Sequence, residues 1–484
     1  MTLRSATFSA TRWITVSAVT RASAQLLQTV ALARLLTPAD FGLMAMAGVV
    51  MSVTGLFSDL GLSSALMHHA QPDRRTLSTL YWLNLGAASI LALLFAAIAW
   101  PLSLAYGQPE LVTVSCWLAL GLPLGALGQQ FRILAEKNLH FKPLVQNEMI
   151  SAFFGFVIAI TTAQLDWGIY AIVASQLFAA ATNSSLAWIR LSAEVKPQAV
   201  FCWPLAKPFI AFGLHRIGDS FWNTALTQAD VFIAGLFTTP HAVATYAVPR
   251  DQSLRIANTI INPVITRVSL PVMTLLQGDS AALRAVYLKT LRLTASFNFP
   301  IYALLALFAE SVVSLLLGDQ WTEAAIYLRL FAIWGLIRST GNPSGSLLYA
   351  VGMARRAHLW NLLLFMFTVP LFWLAMQHGG LLALAWIMVI WMIGVYILAW
   401  RFLIYPACGV NLMEYNASFV PPLTSTALAA VITYIITNIM PPPWQLPLGT
   451  IVFSSSYLVL SSWLNREWID TSLELLAPIK RFMK

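Results

Sequence analysis

The chain has 484 residues, of which 58% are hydrophobic and only 10% charged, with a formal net charge of +9 and a mean hydropathy of +0.73. Soluble globular chains average about 25% charged residues, so this composition excludes a water-soluble enzyme and points to an all-α polytopic membrane protein. The basic excess implies no nucleic acid, because Lys and Arg gather in the cytoplasmic loops of membrane proteins.

In chain order, fourteen stretches read as spans: 13–36, 41–66, 77–101, 111–135, 144–164, 168–190, 209–237, 241–275, 286–316, 323–350, 356–377, 380–405, 418–440 and 446–463. The third illustrates the signal, with 24 residues from Leu77 to Trp100 and no charge, where about 20 apolar residues cross a bilayer core. The first follows Arg4 and Arg12 without a signal-peptide cleavage pattern, so it is expected to remain as a span. The eighth is too long for one straight crossing, and Pro249, Pro263 and Pro271 are expected to bend it.

The loops test this order. With both termini cytoplasmic, nineteen of the 28 Lys and Arg fall at inner positions, among them Arg74, Arg75, Lys137, Lys142, Arg284, Lys289, Arg355 and Arg356. The six outer loops at 108–110, 164–166, 238–240, 318–320, 378–380 and 441–443 hold no Lys or Arg. The bias persists through the chain, which supports an even span number and an inner-membrane orientation together.

A weak repeat relates 35–45 (LLTPADFGLMA) to 237–247 (FTTPHAVATYA), each placing Thr-Pro at an outer turn. It divides the chain into two six-helix bundles, 1–206 and 207–405, with two added helices in 406–463 and a cytoplasmic amphipathic tail in 464–484, whose Trp468, Ile469, Leu473 and Leu476 recur at helical spacing.

Soluble-type catalytic signatures are missing: there is no phosphate-binding Gly-rich loop, no paired metal-ligand spacing and no nucleophile elbow. His68 and His69 are a loop pair without a third ligand, and Cys116, Cys202 and Cys408 are scattered. The expectation is a protein that is not an enzyme, with no catalytic residues, metal or cofactor.

Charges inside the spans carry the information, because each costs about 2.5–3.5 kcal/mol at the bilayer centre on insertion scales and so faces a partner or a wet cavity. Arg21, Arg216, Arg250, Arg255 and Arg338 form a candidate cationic cavity for an anionic ligand. Arg250 and Arg255 lie about 140° apart around one helix, so both cannot point straight at lipid. The bland alternative is structural pairing, Arg255 with Asp251 and Arg216 with Asp219. Arg34, Arg132, Arg267 and Arg329 are expected to snorkel from span ends. Asp219 and Asp230 are candidates to couple transport to a proton or sodium ion, whereas Glu148 and Asp59 are read as satisfying helix contacts.

Residues 33–47 (ARLLTPADFGLMAMA) and 57–66 (FSDLGLSSAL), with 230–237 (DVFIAGLF) and 246–250 (YAVPR), resemble the Wzx-like polysaccharide flippases of the multidrug, oligosaccharidyl-lipid and polysaccharide exporter superfamily. The resemblance covers about 10–405 and departs at 234–236, where AGL replaces the Gly-Arg usual after the seventh-span Ile. It implies two six-helix bundles and alternating access. It also implies export of an undecaprenyl-diphosphate-linked oligosaccharide from membrane lipid, with a polysaccharide polymerase and a chain-length regulator as partners. The rival readings are a multidrug or cation antiporter of the same superfamily, an exporter of the peptidoglycan precursor, and a membrane polysaccharide polymerase or ligase. The last would be expected to carry a large outer loop.

Overall fold

The structure is a computed structural model that describes residues 20, 22–58, 66, 72–192, 196–255 and 262–469, without the side chains of 58, 211–220, 262–268, 354, 442 and 443. The first half holds α1 (22–35), α2 (Pro38–Ser58), α3 (Arg74–Tyr106), α4 (Glu110–Ala119), α5 (Gly121–Lys137), α6 (Phe141–Gln164), α7 (Ile169–Leu191) and α8 (Trp203–Phe237). Then follow α9 (Pro240–Arg255), α10 (Asn262–Leu275), α11 (Ser280–Leu307), α12 (Ala309–Leu316), α13 (Ala324–Ser339) and α14 (Asn342–Ala350). The rest comprises α15 (Ala354–Ala399), a π turn (Trp400–Ile404), α16 (Tyr405–Cys408), α17 (Leu412–Ala417), α18 (Val420–Thr437) and α19 (Pro442–Leu464). Among the described residues there is no strand, and eight helices are long and apolar enough to cross a bilayer. The pair α11–α12, bent by 79°, is a ninth candidate.

Each predicted stretch is helical through most of its described length. Local chemistry sets many of the ends. Asp73 caps α3 by accepting from the Thr76 backbone N–H at 3.1 Å. The Thr76 side chain and N–H together hold the Asp73 carboxyl below its ordinary range. Asp279 caps α11 through the N–H groups of Ala281 and Ala282, and Asn411 with Glu414 forms a capping box at α17. Gly107 closes α3 in the left-handed region at φ 63°.

Four of the long stretches are broken. The eighth is two helices, α9 and α10, with 256–261 outside the described residues. The fourth is interrupted at Leu120, the ninth at Phe308 and the tenth at Thr340–Gly341. Conversely, the 54 apolar-rich residues from Arg355 to Cys408 run almost without interruption. At 1.5 Å per residue they would reach roughly 80 Å, far more than one crossing. Gly380, at φ 65° and ψ −161°, divides this run into two limbs at the expected 378–380 turn.

The chain forms two compact units. Unit 1 comprises Met1–Ala247 and Asn361–Gln377, and unit 2 comprises Val248–Trp360 and His378–Lys484. In unit 1, small residues let helices meet closely, the device open to helices packed in lipid. A methyl on Gly128 of α5 would lie 2.7 Å from the Ser184 Cα of α7, where the Ser184 hydroxyl also donates to the Leu124 carbonyl. The two Thr-Pro turns of the repeat also abut in unit 1, for a methyl on Gly42 would fall 1.7 Å from the Pro240 carbonyl oxygen. The first limb of α15 meets α8 through Trp222 with Phe365 and Phe237 with Trp373, at ring separations of 5.2 and 4.8 Å.

Unit 2 is built on α11. Its buried Tyr287, Leu291 and Phe299 pack with Leu347 of α14, Ile404, Tyr415 and Phe419. The described start of the tail docks on the same helix. Arg292 Nε donates to Asn465 Oδ1 at 2.8 Å and its Nη1 pairs with Glu467, while Asn465 Nδ2 donates to Ser296. Trp468 is buried beside Phe297 and Tyr457, and the remainder of the amphipathic pattern, 470–484, lies outside the described residues.

Candidate functional site

Of the five candidate arginines, three stand on helices of unit 2. Arg250 and Arg255 stand on the last two turns of α9, and Arg338 on the last turn of α13. The helices are tied at one point. Ser253, fully buried, donates its hydroxyl to the Phe331 carbonyl of α13 at 2.7 Å. Tyr302 of α11, also buried, donates to the Ser253 carbonyl at 2.9 Å. Gly335 makes the approach possible, since a methyl there would fall 2.5 Å from the Tyr302 ring and 2.8 Å from the Ser253 hydroxyl.

The three arginines are held differently. Arg250 is 3% exposed and its Nη1 donates to Asp251 Oδ1 at 2.8 Å, while the Asp251 side chain is half exposed. Arg338 lies over the Trp334 ring, 5.1 Å from its centroid, a cation–π arrangement that steadies the head. Arg255 is half-buried, and its Nη1 is enclosed without a hydrogen-bond partner among the described residues. The Asp251 carboxylate that i,i+4 spacing offers to Arg255 is hydrogen-bonded by Arg250 and still acts on Arg255 electrostatically. An enclosed, unmatched donor costs about 1–3 kcal/mol, more when charged, which an anionic ligand oxygen would recover.

The other candidates are placed as follows. Arg21 lies outside the described residues, and Arg216 and Asp219 stand on α8 with side chains that are not described. Asp230 is buried in unit 1 and accepts from the Tyr246 hydroxyl at 3.0 Å. Arg329 is half exposed and pairs with Glu310 at 3.1 Å. Arg132 does not reach for the interface. Its Nη2 turns back two helical turns to the Gly125 carbonyl at 3.2 Å, within the electrostatic range of Glu148 and Glu136. Unit 1 also holds a cavity of about 250 Å³ lined by Thr20, Leu27, Met149, Phe153 and Phe156, whose one charged lining residue among the described residues is Glu148.

Sequence reasoning missed Tyr302, Ser253 and Gly335. Nothing in their local pattern announces them, because they meet across separations of 49 and 78 residues. Among the described residues no group of three His, Cys, Asp or Glu is placed to hold a metal.

Helices fit for membrane crossing and packed closely through small residues define a polytopic membrane protein. The chain belongs to the family described as "Polysaccharide biosynthesis protein", which matches residues 31–326. It is 29% identical over 378 residues to the teichuronic acid biosynthesis protein TuaB of Bacillus subtilis (strain 168), covering 78% of this chain and 77% of that one. It is 25% identical over 434 residues to the lipopolysaccharide biosynthesis protein WzxC of Escherichia coli (strain K12), covering 90% and 88%. The solved structure of the lipid II flippase MurJ, in an inward closed conformation, shares the fold with a TM-score of 0.72. That likeness spans 95% of this chain and 98% of that one, at 12% identity.

Proposed function

We propose that this protein is a flippase of the bacterial inner membrane. It carries undecaprenyl-diphosphate-linked oligosaccharide repeat units from the cytoplasmic to the outer leaflet for exopolysaccharide, capsule or O-antigen assembly. The observation that carries the reading is Arg255, whose enclosed Nη1 has no partner among the described residues, on a helix shared with Arg250 and bonded to the helix of Arg338. A pyrophosphate supplies several acceptor oxygens and suits guanidinium groups such as that of Arg255. The relatives named for polysaccharide biosynthesis support the substrate class, and the fold shared with a lipid II flippase supports the kind of movement.

In this account the chain makes about fourteen crossings with both termini cytoplasmic, and the halves 1–206 and 207–405 alternate access while the prenyl tail stays in lipid. A polymerase and a chain-length regulator consume the delivered unit. The chain performs no bond chemistry and needs no cofactor. A proton or sodium ion taken up at Asp219 or Asp230 couples the cycle. The experiment is charge reversal of Arg250 and Arg255, one at a time, with protein level and polysaccharide export measured. Export falls at normal protein level if the cluster receives the anion, and full export would refute the assignment.

A second reading, an organic-cation antiporter, is favoured by one feature, the apolar cavity whose charged lining residue is Glu148. It predicts sensitivity to cationic dyes, with normal polymer, in a deletion strain.

A further inference from the structure

We infer that Tyr302, acting with Ser253 and Gly335, is a positioning residue that sets Arg255 for the diphosphate of the lipid carrier; the inference rests on the reading of Arg255 as the anion-receiving group. Arg255 follows Ser253 by two positions on α9, so whatever fixes the Ser253 backbone fixes where the Arg255 side chain departs. Two bonds converge there from separate helices. The Tyr302 hydroxyl holds the Ser253 carbonyl, and the Ser253 hydroxyl holds the Phe331 carbonyl.

All of this is buried. Tyr302 is 1% and Ser253 0% exposed, so both bonds form away from water, where their geometry is strictly enforced. Gly335 keeps the joint tight, because any side chain there would meet the Tyr302 ring and the Ser253 hydroxyl at under 3 Å. The same joint reaches the neighbouring cation, since Arg338 follows Gly335 by three residues, about one turn along α13. Packing of α9 needs no hydroxyl on Tyr302, since its ring already lies in the apolar cluster with Ala332, Leu305 and Leu336. The hydroxyl is therefore spent on a backbone carbonyl in the turn that presents the cation. A guanidinium displaced by a fraction of an ångström loses paired contacts to a diphosphate before it loses the single contact a monophosphate needs.

The test is a double-mutant cycle in the purified full chain, with farnesyl diphosphate as probe and farnesyl monophosphate as comparator. Arg255→Ala weakens diphosphate binding by roughly tenfold or more, the scale of a lost charge-assisted contact. Tyr302→Phe, which removes one oxygen and keeps the ring, weakens the diphosphate more than the monophosphate and adds nothing when Arg255 is already Ala. Ser253→Ala follows the same pattern and takes its place if Tyr302→Phe fails to purify as a monodisperse protein. Equal weakening in both Arg255 backgrounds, or an equal loss for both probes, reveals a general structural role and overturns the inference. Unchanged binding in Tyr302→Phe and Ser253→Ala, with Arg255→Ala impaired, overturns the positioning role alone. Unchanged binding in Arg255→Ala overturns both this inference and the anion site on which it rests.

Discussion

Replacing Gly42 with Ala puts the fold to a demanding trial. The added methyl would stand 1.7 Å from the Pro240 carbonyl oxygen, 2.4 Å from its carbonyl carbon and 2.8 Å from its Cα. Ordinary contact needs about 3.5–4 Å, so the turn before α9 would have to retreat from α2 by roughly 2 Å. The obstructing atoms are backbone, and no rotamer change relieves them. Overpacking of this kind typically costs about 1–3 kcal/mol, and a rigid Pro turn places Gly42→Ala at or above the top of that range. Gly48, six residues along the same helix, is the internal control, because nothing lies within 4 Å of its added methyl. Gly48→Ala gains slightly in helix propensity and keeps wild-type stability. Thermal unfolding of the two variants in one detergent, read by intrinsic tryptophan fluorescence and by aggregation onset, gives the comparison. Equal melting of Gly42→Ala and Gly48→Ala would show that the two Thr-Pro turns do not meet in this way.

Other perturbations follow from single contacts. Gly380→Ala places a side chain at φ 65° and ψ −161°, a region that is essentially Gly-only and costs about 1–3 kcal/mol. Its melting temperature falls, whereas Gly86→Ala, with open space around it, melts as wild type. Tyr246→Phe removes a buried donor from Asp230 and costs about 1–3 kcal/mol, which Asp230→Asn relieves when the two are combined. If Asp230 carries the coupling ion, Asp230→Asn also loses ion-dependent export at normal protein level, and retained ion dependence removes it as a candidate. Arg292→Ala frees the start of the tail from α11 at a cost of about 1 kcal/mol, discounted for its partial exposure. Limited proteolysis then cuts near Asn465 sooner, and an unchanged cleavage pattern would show that the latch does not hold.

The helical stretches were legible because apolar runs are a property of the sequence that lipid enforces residue by residue. The turns at Gly107, Gly318 and Gly380 coincide with left-handed backbone that glycine supplies. The breaks at Leu120 and Phe308 were not legible, since the apolar pattern continues through them and hydropathy does not register a helix's direction. Phe308 shows what decides instead: a methyl on Gly449 of α19 would fall 2.3 Å from its ring, so a distant helix presses on the bend. The candidate arginines stood out because a charge in an apolar run is conspicuous. Their hydrogen-bond partners did not, because Asp251 is bonded by its neighbour Arg250 while it acts on Arg255 at helical spacing only electrostatically. Arg132 was placed at the interface by its position near a span end, yet it bonds inward to Gly125. Which of several nearby acceptors a guanidinium takes is settled by side-chain rotamer, which spacing alone does not encode.

The central claim is that the chain moves a lipid-linked oligosaccharide across the membrane. Its most direct test is deletion of the gene in a strain without a redundant flippase, with surface polymer and the leaflet of the lipid-linked repeat units measured together. The account predicts loss of polymer with repeat units accumulating in the cytoplasmic leaflet, restored by the wild-type chain and not by Arg255→Glu. Normal polymer, or repeat units accumulating in the outer leaflet, would contradict it.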